Sequence, residues 1–424
     1  MNNNTEPQIN LMSDFTFLEA QPFKLESPIK IYYINGTDQE VCKAELIFDA
    51  GYKYQSKAIQ AATANQLLIE GCANQSSAQI AEFIDQKGAF LDTSLHADYA
   101  SVQLHCLNKH FAELFEYLLN LIEEASFPAS EFEDFIQLKK QKFAVNQEKV
   151  SFQAKNHFLE VLLGEKHAYN NGIKLEQFEV LKHEDVIDFY QKYYFQQPFT
   201  ILLSGKIEDS LLQTVEKLLL GKNWRARQSH AAIQLQSKGK SDLFIEKAKA
   251  SQSAIRFGKQ MPAKSHPDFP LIYLANLILG GYFGSRLMSN LREDKGYTYG
   301  IGSGLVSMQE VNYWFLSTEV GADVTPLALQ EIEKELRKLS NELISEEELD
   351  LVKQYFQGSI LRNFDGAFAA MDRFKSLYVL DLDYEYYHQM LSKIKNVQAL
   401  DLISIFKKYY TFEDMSQIVV GKTQ

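Results

Sequence analysis

This chain is poor in cysteine, lacks a leader-like start and any long apolar run, and has no excess of positive charge. Its three cysteines, Cys42, Cys72 and Cys106, are an odd number spread through a chain of 424 residues, which is large enough to fold without disulfides. A reduced compartment is therefore expected. The first residues, MNNNTEPQINLMSDFTF, contain neither a basic region nor an apolar core of the kind a secretory signal needs. No apolar run approaches the roughly 20 residues of a membrane-crossing helix. A soluble, cytoplasmic protein with no membrane partner is expected. With 43 Lys and Arg against 55 Asp and Glu, the net charge of −12 argues against nucleic acid, whose phosphates must be met by clustered cations. The same charge suits basic or unfolded peptides. Also absent are a glycine loop running from a strand into a helix N-terminus, which would hold phosphate, and the spacing of a serine nucleophile elbow.

What is present begins with length, since 424 residues exceed what one core usually organises. The sequence also repeats itself. Gln191-Lys192-Tyr193-Tyr194 is followed by Gly205-Lys206, and Lys407-Lys408-Tyr409-Tyr410 is followed by Gly421-Lys422 at the same spacing, 216 positions later. Ser130-Glu131 and Ser345-Glu346 are related by nearly the same offset, and each pair reads as the start of a long helix. Lys30 to Gly51 and Gly88 to Leu107 carry the β-branched and aromatic content of half-buried strand pairs. The fold expected is α+β: two tandem homologous domains, each an antiparallel sheet with helices packed on one face. The expected boundaries are a tail at 1–14, a first domain at 15–221, a linker at 222–242 and a second domain at 243–424. Within the linker Arg225, Arg227, Lys238 and Lys240 are too few and too spread to track phosphates.

The richest stretch is GGYFGSRLMSNLREDKGYTYG, from Gly280 to Gly300. Leu287, Met288 and Leu291 make the stripe of a short helix over Ser285 to Asp294, with Arg286 and Arg292 off that stripe. Gly296 is placed to end the helix. In the strand that follows, Gly300, Gly302 and Gly304 share one face, and a bare strand face implies close approach to the backbone.

This stretch resembles the second-domain signature of the insulinase-like M16 zinc peptidases. In that family an arginine and a tyrosine seven positions apart, here Arg292 and Tyr299, reach the scissile peptide bond from the half of the molecule opposite the zinc. Active members carry the zinc half as HxxEH on an early helix, two histidines for the metal and a glutamate to activate water. Ala64 to Ala89 resembles the segment in which that helix runs into a glycine turn and a second helix. Anchored on Gly71 and on Ala78 to Glu82, the motif falls on Ala62-Thr63-Ala64-Asn65-Gln66. Ala62, Asn65 and Gln66 thus stand where the histidines and the glutamate would be. The family's third ligand would fall near Asn146, Gln147 or Glu148.

Other candidate ligands read as ordinary histidines. His157 to Val161 lacks the fifth residue of HxxEH, and His167 is ten positions from His157, which is not a common ligand spacing. His105 and Cys106 point to opposite faces of a strand, and His96 lies on a neighbouring one. No metal or cofactor is expected in this chain.

The resemblance implies half of a clamshell, a catalytically incomplete subunit of a heteromeric peptidase. It would have no activity of its own, and would supply Arg292 and Tyr299 to a peptide or unfolded polypeptide cleaved at the zinc of an HxxEH-bearing partner. Arg286 is expected to form ion pairs. The alternative is a non-catalytic scaffold or peptide-binding core subunit of the same fold.

Overall fold

The computed structural model describes residues 16–73, 75–225 and 238–422. The tail expected at 1–14 and positions 226–237 of the expected linker lie outside the described residues.

Strands form where β-branched and aromatic residues concentrate. In the first half they are β1 (Gln21–Phe23), β2 (Lys30–Asn35), β3 (Val41–Phe48), a short hairpin of β4 (Gly71–Cys72) with β5 (Gln75–Ser76), β6 (Phe90–Leu95), β7 (Ala100–Leu107) and β8 (Thr200–Gly205). In the second they are β9 (Leu243–Glu246), β10 (Gln252–Gln260), β11 (Thr298–Ser307), β12 (Asn312–Gly321) and β13 (Ser416–Gly421). The first main sheet runs β1-β2-β8-β3-β7-β6 and the second β11-β12-β10-β13-β9. Read from the opposite edge, the second reproduces the first without its extra strand β1, so the two domains are structural repeats.

The expected Lys30–Gly51 pair exists as two strands, but they are not neighbours. The closing strand β8 is inserted between them, parallel to β2 and antiparallel to β3. In the second half β13 is inserted in the same way between β9 and β10. Each sheet is therefore antiparallel except for one pair. The strand that returns after the long helices can form such a parallel pair because its crossover is long. Its last glycine turns sharply in both copies, with φ 123° at Gly205 and 141° at Gly421. A Cβ there would lie 2.3 Å from the Val41 carbonyl oxygen and 2.6 Å from Ser253 Cα, respectively, so only glycine fits.

The repeated tyrosines explain the sequence period. Tyr194 and Tyr410 are both fully buried, each just after the helix that feeds the closing strand, and each hydroxyl reaches across to the helix packed alongside. Tyr194 donates to Asn65 Oδ1 at 3.0 Å and Tyr410 to the Ile272 carbonyl at 2.8 Å. Ser345 caps its helix, Glu346–Asn363, by accepting from the Glu348 amide at 3.2 Å. Ser130 does not cap the equivalent helix, which starts at Ala129 with Pro128 at the cap position. Proline there sets the entry angle without a side-chain acceptor.

Helices cover both faces of the molecule's sheets, because the halves exchange cover. Helix Gly366–Tyr378 of the second half lies on β2 and β8 of the first, with the Tyr378 hydroxyl 2.8 Å from Thr200 Oγ1 and Lys375 Nζ 2.9 Å from the buried Glu45. Helices Val150–Asn156 and Phe158–Leu163 of the first half lie on β10 and β13 of the second. Phe158 there fills the space above Gly258, where a Cβ would come within 2.5 Å of its ring. Among the described residues no helix is long and apolar enough to cross a membrane. All three cysteines are buried free thiols, with Cys42 and Cys106 opposite one another and their sulfurs 3.8 Å apart.

Candidate functional site

The Gly280–Gly300 stretch forms the helix and strand expected of it, with an unexpected winding. Leu277–Gly281 and Met288–Asp294 are π-helical, a wide coil that often marks functional segments. Leu287 and Leu291 are fully buried and Met288 nearly so, anchoring the second π segment to the core. Nothing in the apolar spacing distinguishes α from π winding, which is why the winding is unexpected. Gly296 ends the segment with φ 66°. Arg286 forks onto Glu348, Nε to Oε1 at 2.7 Å and Nη2 to Oε2 at 2.6 Å, and so ties this segment to the long helix Glu346–Asn363.

Strand β11 then opens with a bulge. Thr298 faces Val320 and Ile301 faces Thr318, leaving Tyr299 and Gly300 together opposite Glu319. A bulge re-aims the residues it carries. Thr298 holds it: its Oγ1 accepts from the Gly300 amide at 3.0 Å and donates to the Glu319 carbonyl at 2.7 Å, while the Thr318 hydroxyl lies 2.9 Å away. The result is that Tyr299 stands out of the sheet, 90% exposed.

Arg292 and Tyr299 come together as a stack. The guanidinium carbon lies 5.1 Å from the Tyr299 ring centre and 4.9 Å from that of Phe283, so the cation sits between two rings. Phe283 is itself 62% exposed, and the sequence offered no cue for it beyond its place in the Gly-Gly-Tyr-Phe-Gly turn. No ion pair joins Arg292 to a carboxylate among the described residues. The Tyr299 hydroxyl makes no hydrogen bond there. A cation and a phenol donor are thus presented together at the surface without internal partners.

The three glycines of β11 differ in their surroundings. A Cβ at Gly304 would press on the Phe315 ring at 2.9 Å, at Gly302 it would make an ordinary contact of 3.7 Å with the Gly280 carbonyl, and at Gly300 it would meet open space. The tightest approach involves Gly280, whose Cβ would lie 2.7 Å from Ser303 Oγ. β11 is the edge strand of its sheet.

The expected zinc-motif positions Ala62, Asn65 and Gln66 lie on the early helix, Gln60–Leu67. Ala62 offers no donor atom. Asn65 is 2% exposed and spends its carboxamide oxygen on Tyr194, and Gln66 Nε2 is held by Glu70 at 3.2 Å. Near the expected third ligand, Asn146 Oδ1 takes the Lys149 ammonium at 2.9 Å, the Gln147 carbonyl takes that of Lys247 at 3.2 Å, and the exposed Glu148 carboxylate lies 3.9 Å from Lys247. These residues do not fit a zinc ion: both imidazole donors are missing, and the single carboxylate of Glu148 cannot hold the metal alone. No group of three or more His, Cys, Asp or Glu among the described residues is arranged to hold a metal. His157 makes a local contact of 3.5 Å with Glu160, His167 Nδ1 accepts from the Tyr169 amide, and His96 stacks on Tyr99.

Comparison with known proteins agrees with this geometry. Residues 30–168 match the family model described as insulinase (peptidase family M16), and residues 181–356 the model described as the peptidase M16 inactive domain. A Bacillus subtilis protein described as an uncharacterized zinc protease is 22% identical over 72% of this chain and 75% of its own. A Helicobacter pylori protein described as a non-peptidase homolog is 20% identical over 84% and 83%. Among solved structures, a peptidase M16 inactive domain from Pseudomonas fluorescens superposes with a TM-score of 0.83 at 21% identity, covering 96% of this chain and 99% of that one. A protease from Helicobacter pylori superposes at 0.86 with 14% identity, covering 96% and 100%.

Proposed function

Because the chain belongs to the insulinase-like M16 peptidase family and its own zinc-motif positions cannot hold the metal, we propose that it is the incomplete subunit of a heteromeric peptidase. Its partner would be an HxxEH-bearing relative that carries the zinc. This chain would bring Arg292 and Tyr299 to the peptide bond cleaved there, with a peptide or unfolded polypeptide as substrate. The observation that carries the reading is the stacked, unpartnered Arg292–Tyr299 pair, whose tyrosine is raised out of the sheet by a bulge that a purely structural tyrosine would not need.

Negative charge grows on the scissile carbonyl oxygen as the peptide is attacked. A phenol donor positioned for that oxygen contributes about 3–4 kcal/mol by analogy with oxyanion holes. Tyr299 fills that role, and Arg292 keeps the ring oriented and adds a positive field. The edge of β11, bare at Gly300 and Gly302, suits a peptide laid alongside as an added strand. The exposed Phe283–Arg292–Tyr299 stack would serve equally in a subunit that only holds peptides, and this is the second reading.

Reconstitution separates them. Mixed with an HxxEH-bearing relative from the same organism, the chain is expected to form a stable complex that cleaves a quenched fluorescent peptide when neither chain alone does. The interface should exceed about 2,000 Å², as obligate ones commonly do. A partner that is fully active alone and unchanged on addition of this chain would leave the peptide-holding reading in place of the catalytic one.

A further inference from the structure

A cavity of about 490 Å³ lies between the halves, away from Tyr299, walled by the turn His96–Tyr99 of the first half and by helices of the second. Its size is that of a site for a small organic molecule. Six tyrosines and three phenylalanines line it, among aliphatic and polar side chains.

Its charge is the unusual feature. The chain carries twelve more acids than bases, yet the cavity holds two cations, Lys264 and Arg373, and neither has a carboxylate partner among the described residues. Arg373 Nε is buried with no acceptor at all. Lys264 has only the face of the Tyr386 ring, 4.9 Å from its ammonium. Burial first, and repulsion by Arg373 second, pull the Lys264 ammonium down to about 8. The one acid in the wall, Asp98, is already satisfied by the Lys53 ammonium at 2.9 Å, the Tyr169 hydroxyl at 2.5 Å and the Gln309 amide at 3.0 Å. His96 adds no third positive charge, because burial first, and Lys375 second, hold its imidazole below the usual value. The hydroxyls of Tyr99, Tyr273 and Tyr386 make no hydrogen bond within the described chain and open on the same space.

Two half-buried cations that line one hollow without a carboxylate partner raise the energy of the empty protein, since charge drawn out of water is tolerated when it is paired. An anion between them would remove the repulsion and take up the orphaned Nε–H and the phenol donors. We propose that this cavity binds a small organic anion, a carboxylate or phosphate monoester on an aromatic or branched aliphatic body, gripped by Lys264 and Arg373. The assignment is independent of the peptidase reading, since none of the residues it uses belongs to the Arg292–Tyr299 site.

Calorimetric titration of the full chain tests it with four probes: N-acetylphenylalanine, its uncharged amide, phenyl phosphate and inorganic phosphate. At least one organic anion is expected to bind, with the amide at least tenfold weaker and inorganic phosphate weaker than its phenyl ester. Whichever anion binds more tightly identifies the head group. Lys264→Met should weaken that anion at least tenfold and should not lower the melting temperature of the empty protein, because it removes an unpaired cation. Arg373→Gln should weaken it similarly; if that variant does not fold, Lys264→Met decides. Equal affinity for acid and amide, binding of inorganic phosphate as tight as of phenyl phosphate, unchanged affinity in Lys264→Met, or no binding of either organic anion at millimolar concentration would each overturn the assignment.

Discussion

Asn65 accepts a hydrogen bond of 3.0 Å from the hydroxyl of Tyr194, at the position the sequence resemblance assigns to the glutamate of HxxEH. The side chain here is part of the core. Both groups are buried, so Asn65→Ala leaves a phenol hydroxyl without a partner and is expected to cost about 1–3 kcal/mol. Chemical denaturation measures this, and an unchanged midpoint would show that the bond contributes nothing.

Metal content follows from the same helix. Purified without chelator, the chain should carry no stoichiometric zinc, because Ala62, Asn65 and Gln66 offer no imidazole or free carboxylate. Elemental analysis checks it; one zinc per chain would require ligands elsewhere.

Tyr299→Phe should lower turnover of the reconstituted complex on the order of 100-fold or more, the usual loss for an oxyanion donor. Its side chain is 90% exposed and its hydroxyl holds nothing internal, so the melting temperature should not move. Full turnover with chemistry rate-limiting would remove Tyr299 from the active site. Arg292→Lys keeps the charge but loses the planar stack, and is expected to reduce turnover as well.

Thr298→Val tests the bulge. Valine matches threonine in shape but cannot serve the Gly300 amide or the Glu319 carbonyl, so stability should fall by about 1–3 kcal/mol. Turnover of the complex should fall with it, since Tyr299 loses its placement. Reduced stability with full turnover would mean that the bulge does not position Tyr299.

Acid should act through Asp268. Its carboxylate is held below the usual range first by the Tyr409 hydroxyl at 2.6 Å and then by the Lys408 ammonium at 2.9 Å. A depressed folded-state value contributes stability above the unfolded carboxyl's value, near 3.9, which is lost as pH falls through the lower folded one. In Tyr409→Phe the deficit relative to the parent should be largest near neutrality and shrink as the carboxylate is protonated on acidification. A deficit independent of pH would show that Asp268 does not titrate in this way.

The repeat, the two domains and the helix-to-strand passage were legible because each rests on local pattern: paired tyrosines before a glycine, a polar stretch between halves, a glycine after an apolar stripe. Strand order was less so. Lys30–Asn35 and Val41–Phe48 look like a hairpin, and only a partner more than 150 residues away, Thr200–Gly205, separates them. Of the candidate site, Arg292 and Tyr299 were singled out by the resemblance of their stretch to a family signature, but Phe283 was not, since one aromatic in a turn carries no periodic signal. The bulge was hidden too, because Thr298 acts through main-chain groups that every residue possesses.

The exchange of covering helices has a mechanical consequence. Swinging one half away from the other would uncover the Phe158 ring on Gly258 and unseat Lys375 from buried Glu45 at once, so the linker cannot work as a hinge. In the proposed complex, a gate that admits a long polypeptide would therefore open between this molecule and its partner, with the two halves travelling as one jaw.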